Sequence, residues 1–176
     1  MLIGSEIKFN IDQTLLSKSS YIDSNFFISF PNNITSLDIE LFNQYKSVIE
    51  SDSTSYFSLK LIKALTSEDN LSCFITKVDY DGNILNSLDT SYFNALQNNF
   101  STKNVVVGKF IYNEFDIIQY IITTSELVRI KLFIINLNDY YQIDYIIPYS
   151  LYEKNLKSIE SSIGSLNKEI DRRETN

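Results

Sequence analysis

The side chains that could carry out chemistry in this sequence are mainly carboxylates, because its 176 residues include no histidine and one cysteine. Without histidine, Ser–His and Cys–His nucleophile pairs and histidine-containing zinc sites are excluded. A single cysteine also excludes an all-cysteine zinc cluster and an internal disulfide. That residue, Cys73, lies in the apolar run LSCFITKV, which predicts a small buried residue and not a reactive thiol.

Four aspartates are the candidates for an acid and base pair, namely Asp79, Asp81, Asp116 and Asp144. The stretch VDYDGN superficially resembles a calcium loop, but its glycine comes too early and the distal glutamate is absent. We interpret it as a turn at Asp-Gly. Asp116 and Asp144 fall on one face of a predicted sheet. Arg129 and Lys131 share that face, which favours cross-strand ion pairs over catalysis. We therefore predict no catalytic residue and keep a carboxylate enzyme as a third hypothesis.

The remaining composition excludes several classes of partner. No glycine-rich loop suits a phosphate, so no cofactor and no metal is predicted. The net charge is −7 and the basic residues are scattered, which argues against a nucleic-acid partner. No window approaches the roughly 20 apolar residues of a membrane span. The start, MLIGSEIKFNIDQ, is unlike a signal peptide, so the location is cytoplasmic as given, or periplasmic or envelope-anchored if a signal segment was removed.

The periodicity of apolar residues predicts the elements that position these side chains. NFFISFP predicts a strand that Pro31 ends. A helix capped by Thr35 or Ser36 follows, with an apolar face spaced as on a helix. This face comprises Leu37, Leu41, Tyr45, Val48 and Ile49. Two strands are predicted at 56–65 and 70–80. A second helix is predicted at 88–100, where Leu88, Tyr92, Leu96 and Phe100 are spaced four residues apart.

Residues 104–148 contain four β-rich runs separated by turns too short for a parallel crossover, which predicts an antiparallel meander. One face of it is apolar and the other mixes charge with Tyr and Ile, so helices should cover an α+β sandwich. A last helix is predicted from Ser150, where SLYE resembles a capping box with Glu153. Gly164 in that helix suggests a close approach of the helix backbone to the sheet. We predict residues 1–20 as an extension or short strand, 21–170 as one domain and 171–176 as a polar tail.

Tyrosines cluster around the last predicted strand and helix. The candidates for a partner-binding surface are Tyr140, Tyr145, Tyr149 and Tyr152. Tyr is enriched at interfaces because it brings a large contact area and a polar tip with few rotatable bonds. Packing in the core and at its rim is the alternative for the same residues, since the sequence contains no Trp.

Two segments resemble the PsbP-like superfamily, which includes the PsbP protein of photosystem II, the yeast Ran-binding Mog protein and bacterial proteins. YIDSNFFISFPNNI at 21–34 resembles its opening strand, and YYQIDYIIPYSLYEKNLKSIESSIGSL at 140–166 resembles its final strand and helix. The resemblance implies an α/β/α-like sandwich around an antiparallel sheet. It also implies a non-enzymatic role as an assembly factor or adaptor. The metal-binding histidines of the photosynthetic members have no counterpart in this sequence.

The expected function is therefore that of a non-catalytic accessory or adaptor protein, expected to be bacterial. It would bind a protein partner on the Tyr-rich mixed face of the sheet or on a sheet edge. A homodimer is also compatible with the sequence. Two alternatives follow from bacterial relatives. One is an envelope lipoprotein whose signal segment has been removed, and the other is an adaptor chaperone of type VI secretion.

Overall fold

The computed structural model describes residues 5–23, 26–52, 55–80, 88, 90–99, 104–136 and 139–168. The strands are β1 Ser5–Glu6, β2 Ser20–Ile22, β3 Phe26–Ile28, β4 Thr35–Ser36, β5 Ser58–Thr66, β6 Ser72–Asp79, β7 Val105–Tyr112, β8 Phe115–Thr123, β9 Leu127–Asn136, β10 Asp139–Pro148 and β11 Asn167–Lys168. The α-helices are α1 Ile39–Ser51, α2 Ser91–Asn99 and α3 Tyr152–Gly164, and 3-10 turns span Gln13–Leu15 and Tyr149–Leu151. Asp81 and the polar tail at 171–176 lie outside the described residues.

The predicted meander forms the centre of an eight-stranded sheet. Its strand order is β1-β7-β8-β9-β10-β6-β5-β4, and β7 to β10 are consecutive antiparallel neighbours. The turn between β7 and β8 explains their antiparallel pairing. Its two central residues, Asn113 and Glu114, have positive φ angles of 45° and 64°. Positive φ at both central residues is the hairpin turn whose twist matches that of the strands. The short strand β1 pairs in parallel with β7, and β11, β3 and β2 form a separate small sheet.

The two faces of the large sheet are covered by different elements. Helix α3 and the small sheet cover one face, where alternate residues such as Tyr145 and Ile147 are buried with Ile159 and Ile163 of α3. We call this the core face. Helix α2 covers part of the other face through Tyr92 and Leu96, as the helical spacing predicts. We call this the mixed face. Helices on both sides of a largely antiparallel sheet confirm the predicted α+β sandwich.

Close packing on the core face depends on small residues near the end of α3. A Cβ atom added at Gly164 would lie 2.5 Å from Phe9 Cβ and 2.9 Å from Ile11 Cγ1. The predicted neighbour was wrong, because the atoms nearest such a Cβ belong to the N-terminal segment and not to the sheet. Ser161 accepts a hydrogen bond from the backbone N–H of Asp12 at 3.0 Å. Residues 9–12 therefore pack directly on α3.

The caps predicted for α1 and α3 are wrong. Helix α3 begins at Tyr152 without a side-chain cap, because the chain first makes a 3-10 turn after Pro148 that includes Ser150. The SLYE stretch therefore forms no capping box. Helix α1 is capped by Asp38, whose Oδ1 accepts a hydrogen bond from the Leu41 N–H at 2.9 Å. Thr35 and Ser36 cannot cap it because they form strand β4 against β5.

The predicted apolar face of α1 is not buried among the described residues. Leu41, Tyr45 and Val48 have 41%, 44% and 67% of their surface exposed. The reason is position, since α1 packs along β5 near the edge of the sheet and not over its centre. None of the helices that the described residues form has the length and apolarity needed to cross a membrane.

Candidate functional site

A buried cluster of three charged side chains lies at the centre of the mixed face. The β9–β10 register places Lys131 opposite Asp144, and Lys131 Nζ lies 2.9 Å from Asp144 Oδ2. Arg129 Nε donates to the same carboxylate, at 2.8 Å from Oδ1 and 2.9 Å from Oδ2. The predicted cross-strand ion pair is thus confirmed for Asp144. Asp116 does not join it, because it stands opposite Ile111 and Ile135.

The cluster is largely removed from water. The side chains of Lys131 and Asp144 are 7% and 3% exposed, and that of Arg129 is 27% exposed. Burial lowers the pKa of Lys131 to about 8, although the carboxylate of Asp144 acts against this shift. Burial alone would raise the pKa of Asp144, but the two cations outweigh it and hold that pKa below its usual value. Both cations thus share the carboxylate of Asp144.

A cavity of about 380 Å³ lies over this cluster, enclosed by α1, α2 and the mixed face. Its floor is formed by Thr76, Gln142 and the charged cluster. Thr76 and Gln142 face each other across β6 and β10 and are 2% and 5% exposed. Within the described part of the chain, the Thr76 hydroxyl is a buried group without a hydrogen-bond partner. A buried unsatisfied hydroxyl costs free energy, so its presence needs a physical reason.

The walls and mouth of the cavity are aromatic. Phe57 and Tyr92 pack with ring centroids 5.2 Å apart, and both line the cavity. At the mouth, Tyr45 of α1 packs on Phe74 at 5.3 Å and Tyr56 packs on Tyr92 at 5.4 Å. Tyr45 and Tyr56 are nevertheless 44% and 42% exposed. The site therefore combines a polar, charged floor with an apolar wall and a half-exposed aromatic mouth.

The four tyrosines predicted to bind a partner do not form one surface. Tyr145 is fully buried on the core face, and its hydroxyl lies 2.7 Å from Ser162 Oγ of α3. It cannot contact a partner, so its assignment was wrong. The alternation of β10 is the cause, since Tyr145 points to the opposite face from Asp144. Tyr140 and Tyr152 are half-buried, each packed against a different core cluster.

Tyr149 is the exposed member of that set, with 55% of its surface accessible. It follows β10, whereas Tyr140 lies near the start of that strand, nine positions earlier. At ~3.3 Å per residue the two side chains are about 30 Å apart. A single contact patch cannot include both without covering the whole length of the strand. A partner contact through Tyr140, Tyr149 or Tyr152 individually stays a prediction.

The predicted carboxylate pair does not assemble among the described residues. Asp144 lines the cavity, whereas Asp79 and Asp116 do not. No group of three or more metal-ligating side chains occurs in the described ranges. Thr76 and Gln142 line the cavity but were not predicted as site residues. Their signal was present in the alternation of β6 and β10, where a polar residue lies mid-strand on the mixed face.

Comparisons with known proteins give a structural match. No protein-family model matches the sequence, and no curated protein matches it. The structure is similar to the solution structure of cyanobacterial PsbP (CyanoP) from Synechocystis sp. PCC 6803, with a TM-score of 0.55 and 10% sequence identity. The match covers 95% of this chain and 99% of that one. At this identity, the likeness is informative about the fold.

Proposed function

The chain has a PsbP-like fold, and we propose that it acts as a non-catalytic accessory protein that binds a segment of a protein partner at the mouth of the mixed-face cavity. The observation that carries this proposal is the apolar stripe of α1. Leu41, Tyr45 and Val48 lie on one helical face, at i, i+4 and i+7, and all three are exposed. Tyr56 continues this apolar surface across the cavity mouth. An apolar helix face left open beside a cavity is typical of an interaction site.

The charges around α1 favour a basic partner segment. Asp38, Glu40, Glu50 and Asp52 lie within or next to the helix, against one cation, Lys46. Such an excess of carboxylates around an apolar stripe is complementary to an amphipathic segment with apolar residues flanked by Lys or Arg. The occupant that fits this surface is therefore a short, basic, amphipathic segment of another protein.

A binding role is also favoured over carboxylate catalysis by the state of Asp144. A general acid needs a carboxyl whose pKa is raised toward neutrality. Asp144 has a lowered pKa, because Lys131 and Arg129 outweigh the effect of its burial, and both cations contact it directly. Its role in this arrangement is to compensate buried positive charge.

Site-specific photocrosslinking in the native host tests the proposal. A benzophenone side chain placed at Val48 should capture one protein that the same probe at Tyr21 does not capture. Tyr21 is a matched control because it is 66% exposed on β2, close to the 67% of Val48. The captured protein, once purified, should bind the unmodified chain, and Val48→Asp should weaken that binding by about tenfold or more.

Two results would count against this surface. If a probe at Tyr149 captures the protein and the probe at Val48 does not, the partner binds at the end of β10 and not on α1. Unchanged affinity of the purified partner for Val48→Asp and Tyr56→Ser would show that the α1 stripe and the cavity mouth do not take part. The Tyr145→Phe variant is uninformative about a partner, because Tyr145 is buried.

A further inference from the structure

We propose that the interior of the mixed-face cavity binds a small uncharged aromatic molecule with one hydroxyl group, that is, an aryl alcohol or a phenol. This inference does not depend on the proposed protein partner, because it concerns the floor and walls of the cavity and not the apolar stripe of α1. Three observations carry it, namely the unsatisfied hydroxyl of Thr76, the amide of Gln142 opposite it and the aromatic walls.

The Thr76 hydroxyl is a buried polar group that the described fold leaves unsatisfied. Thr76 lies on β6, is 2% exposed and lines the floor of the cavity. Within the described residues, no atom forms a hydrogen bond with its Oγ1. A buried hydroxyl without a partner lowers the stability of the folded chain. A ligand that supplies the missing partner therefore gains a hydrogen bond at a position where the protein has already lost its water.

The amide of Gln142 makes this position suitable for a ligand hydroxyl. Gln142 stands directly opposite Thr76 in the register of β6 and β10, and it also lines the cavity. The Cβ atoms of such opposed residues are about 4.5–5.5 Å apart, so one ligand oxygen can reach both side chains. A hydroxyl and a primary amide can each donate and accept. A ligand hydroxyl can thus accept a hydrogen bond from the Thr76 hydroxyl and donate one to the Gln142 side-chain carbonyl.

The charged part of the floor favours an uncharged ligand. The Asp144 carboxylate accepts hydrogen bonds from both Lys131 and Arg129, so these ions are already bonded to one another within the fold. A charged ligand group would lose its water shell on entry and would compete with these contacts. A neutral hydroxyl avoids both costs, because it needs no ionic partner.

The walls of the cavity suit an aromatic body. Phe57, Tyr92 and Leu96 line it, and aromatic rings pack favourably edge to face. The volume of about 380 Å³ lies at the small end of the range of ligand sites, roughly 300–1,000 Å³. Such a volume holds a single ring with a short side chain. The ligand would enter between Tyr45 and Tyr56, which are half-exposed at the mouth.

The test is an NMR titration of the full chain with 2-phenylethanol, ethylbenzene and phenylacetate, which share one aromatic body. The alcohol should bind about threefold to tenfold more tightly than ethylbenzene, because ethylbenzene cannot form the hydrogen bonds. It should also bind more tightly than phenylacetate, which is charged. Amide chemical-shift changes should centre on Phe57, Thr76 and Gln142. Equal affinity for the alcohol and ethylbenzene, tighter binding of phenylacetate, or no binding of the alcohol would overturn the proposal.

Two variants on the floor test the hydrogen bonds separately from folding, which the amide spectrum reports in the same experiment. Thr76→Val removes the hydroxyl but keeps the shape of the side chain. The alcohol should then bind no more tightly than ethylbenzene, whose own affinity should not fall. Gln142→Met should reduce the advantage of the alcohol by about threefold. An advantage that persists in both variants would refute the assignment.

Thr66→Val is the matched control, because it makes the same exchange on β5 at a residue that does not line this cavity. The preference for the alcohol should persist in this variant, and its loss there would count against the site. Val48→Asp should leave binding of the alcohol intact, so failure of the partner surface and failure of this site give different results.

Discussion

Strand β10 contributes to two different environments on the two faces of one sheet. On the core face, Tyr145 is enclosed by α3 and its hydroxyl is bonded to Ser162. On the mixed face, one residue earlier, Asp144 is equally buried but lies in a charged cluster under a cavity. The difference shows that burial alone does not distinguish scaffold from site. The distinguishing property is whether the buried polar groups are fully satisfied by the fold.

On the core face, the Tyr145 and Ser162 hydroxyls are hydrogen-bonded within the fold. Ser162 has one hydroxyl hydrogen, which it donates to the Ser29 carbonyl, so the Tyr145 hydroxyl must be the donor to Ser162 Oγ. Both groups are then satisfied by the fold itself. On the mixed face, the buried Thr76 hydroxyl lacks a hydrogen-bond partner within the described residues. We therefore interpret the core face as scaffold and the mixed face as the functional side.

The largest expected loss of stability comes from Asp144→Asn, on the mixed face. The substitution keeps the shape of the side chain but removes the buried carboxylate that both Arg129 and Lys131 contact. Breaking a buried pair in this way costs about 3–5 kcal/mol. Urea unfolding should show this loss of free energy of unfolding, with an unchanged m-value. Asp69→Asn is the control, since it breaks the exposed pair with Lys154 and should change stability by about 0.5 kcal/mol or less. A loss below about 1 kcal/mol for Asp144→Asn would show that the cluster is not effectively buried.

The ion pair and the fold could be predicted from local patterns, which explains why these parts of the sequence analysis were correct. Two-residue turns such as Asn113–Glu114 require antiparallel neighbours, and the alternation of Arg129, Lys131 and Asp144 places them on one face. The same reasoning placed Cys73 in the core, where burial raises the pKa of its thiol. These inferences need only the two-residue period of a strand and the length of a turn.

The cavity could not be predicted in this way, because it depends on how two helices are spaced over the sheet. The periodicity of α1 identifies an apolar stripe but contains no information about what covers it. The stripe was predicted as the apolar face of the helix, and Val48 on it is 67% exposed because α1 lies near the sheet edge. The cap of α1 was also missed, because Thr35 and Ser36 pair with β5 as strand β4 and the helix begins three residues later, after Asp38. Tyr145 was wrongly assigned to a partner surface. It shares one face of β10 with Ile143 and Ile147, and all three side chains are buried.

A second test examines how closely α3 packs against the N-terminal segment. Gly164→Ala would introduce a Cβ at 2.5 Å from Phe9 Cβ, which forces α3 and the N-terminal segment apart. We expect a net loss of roughly 1–2 kcal/mol, after the gain of about 1 kcal/mol from the better helix propensity of Ala. Gly108→Ala in β7 is the matched control, because no atom lies within 4 Å of its added Cβ. If both variants unfold at the same urea concentration as the parent chain, residues 9–12 are not firmly packed on α3.

A third test uses pH to examine the mixed face. The pKa of Lys131 is about 8 in the folded chain, against an ordinary value of 10.5. Between these values the unfolded chain retains a proton that the folded chain has lost, so stability from this group rises with pH above about 8. Between pH 8 and pH 9.5 the parent chain should gain roughly 1–2 kcal/mol relative to Lys131→Met.

The other charged groups facing Lys131 do not titrate in that interval. The pKa of Asp144 is lowered, and Arg129 and Tyr92 have raised pKa values, that of Tyr92 chiefly because of burial. The difference between the parent chain and Lys131→Met therefore isolates the lysine. A difference that does not change with pH would mean that Lys131 keeps its ordinary pKa and that the cavity floor is well hydrated.

The smallest expected changes in stability come from Tyr145→Phe and Thr76→Val. They distinguish the two faces most directly, because the two substitutions should change the free energy of unfolding in opposite directions. Tyr145→Phe on the core face removes a satisfied hydrogen bond and should cost about 1 kcal/mol. Thr76→Val on the mixed face removes a buried hydroxyl without a described partner and should stabilise the ligand-free protein by about 0.5–1 kcal/mol. Parallel urea titrations of the two variants measure both changes against one parent curve. A loss of stability in Thr76→Val would show that ordered water already satisfies the hydroxyl, in which case its burial no longer argues for a ligand and the two faces become equivalent as scaffold.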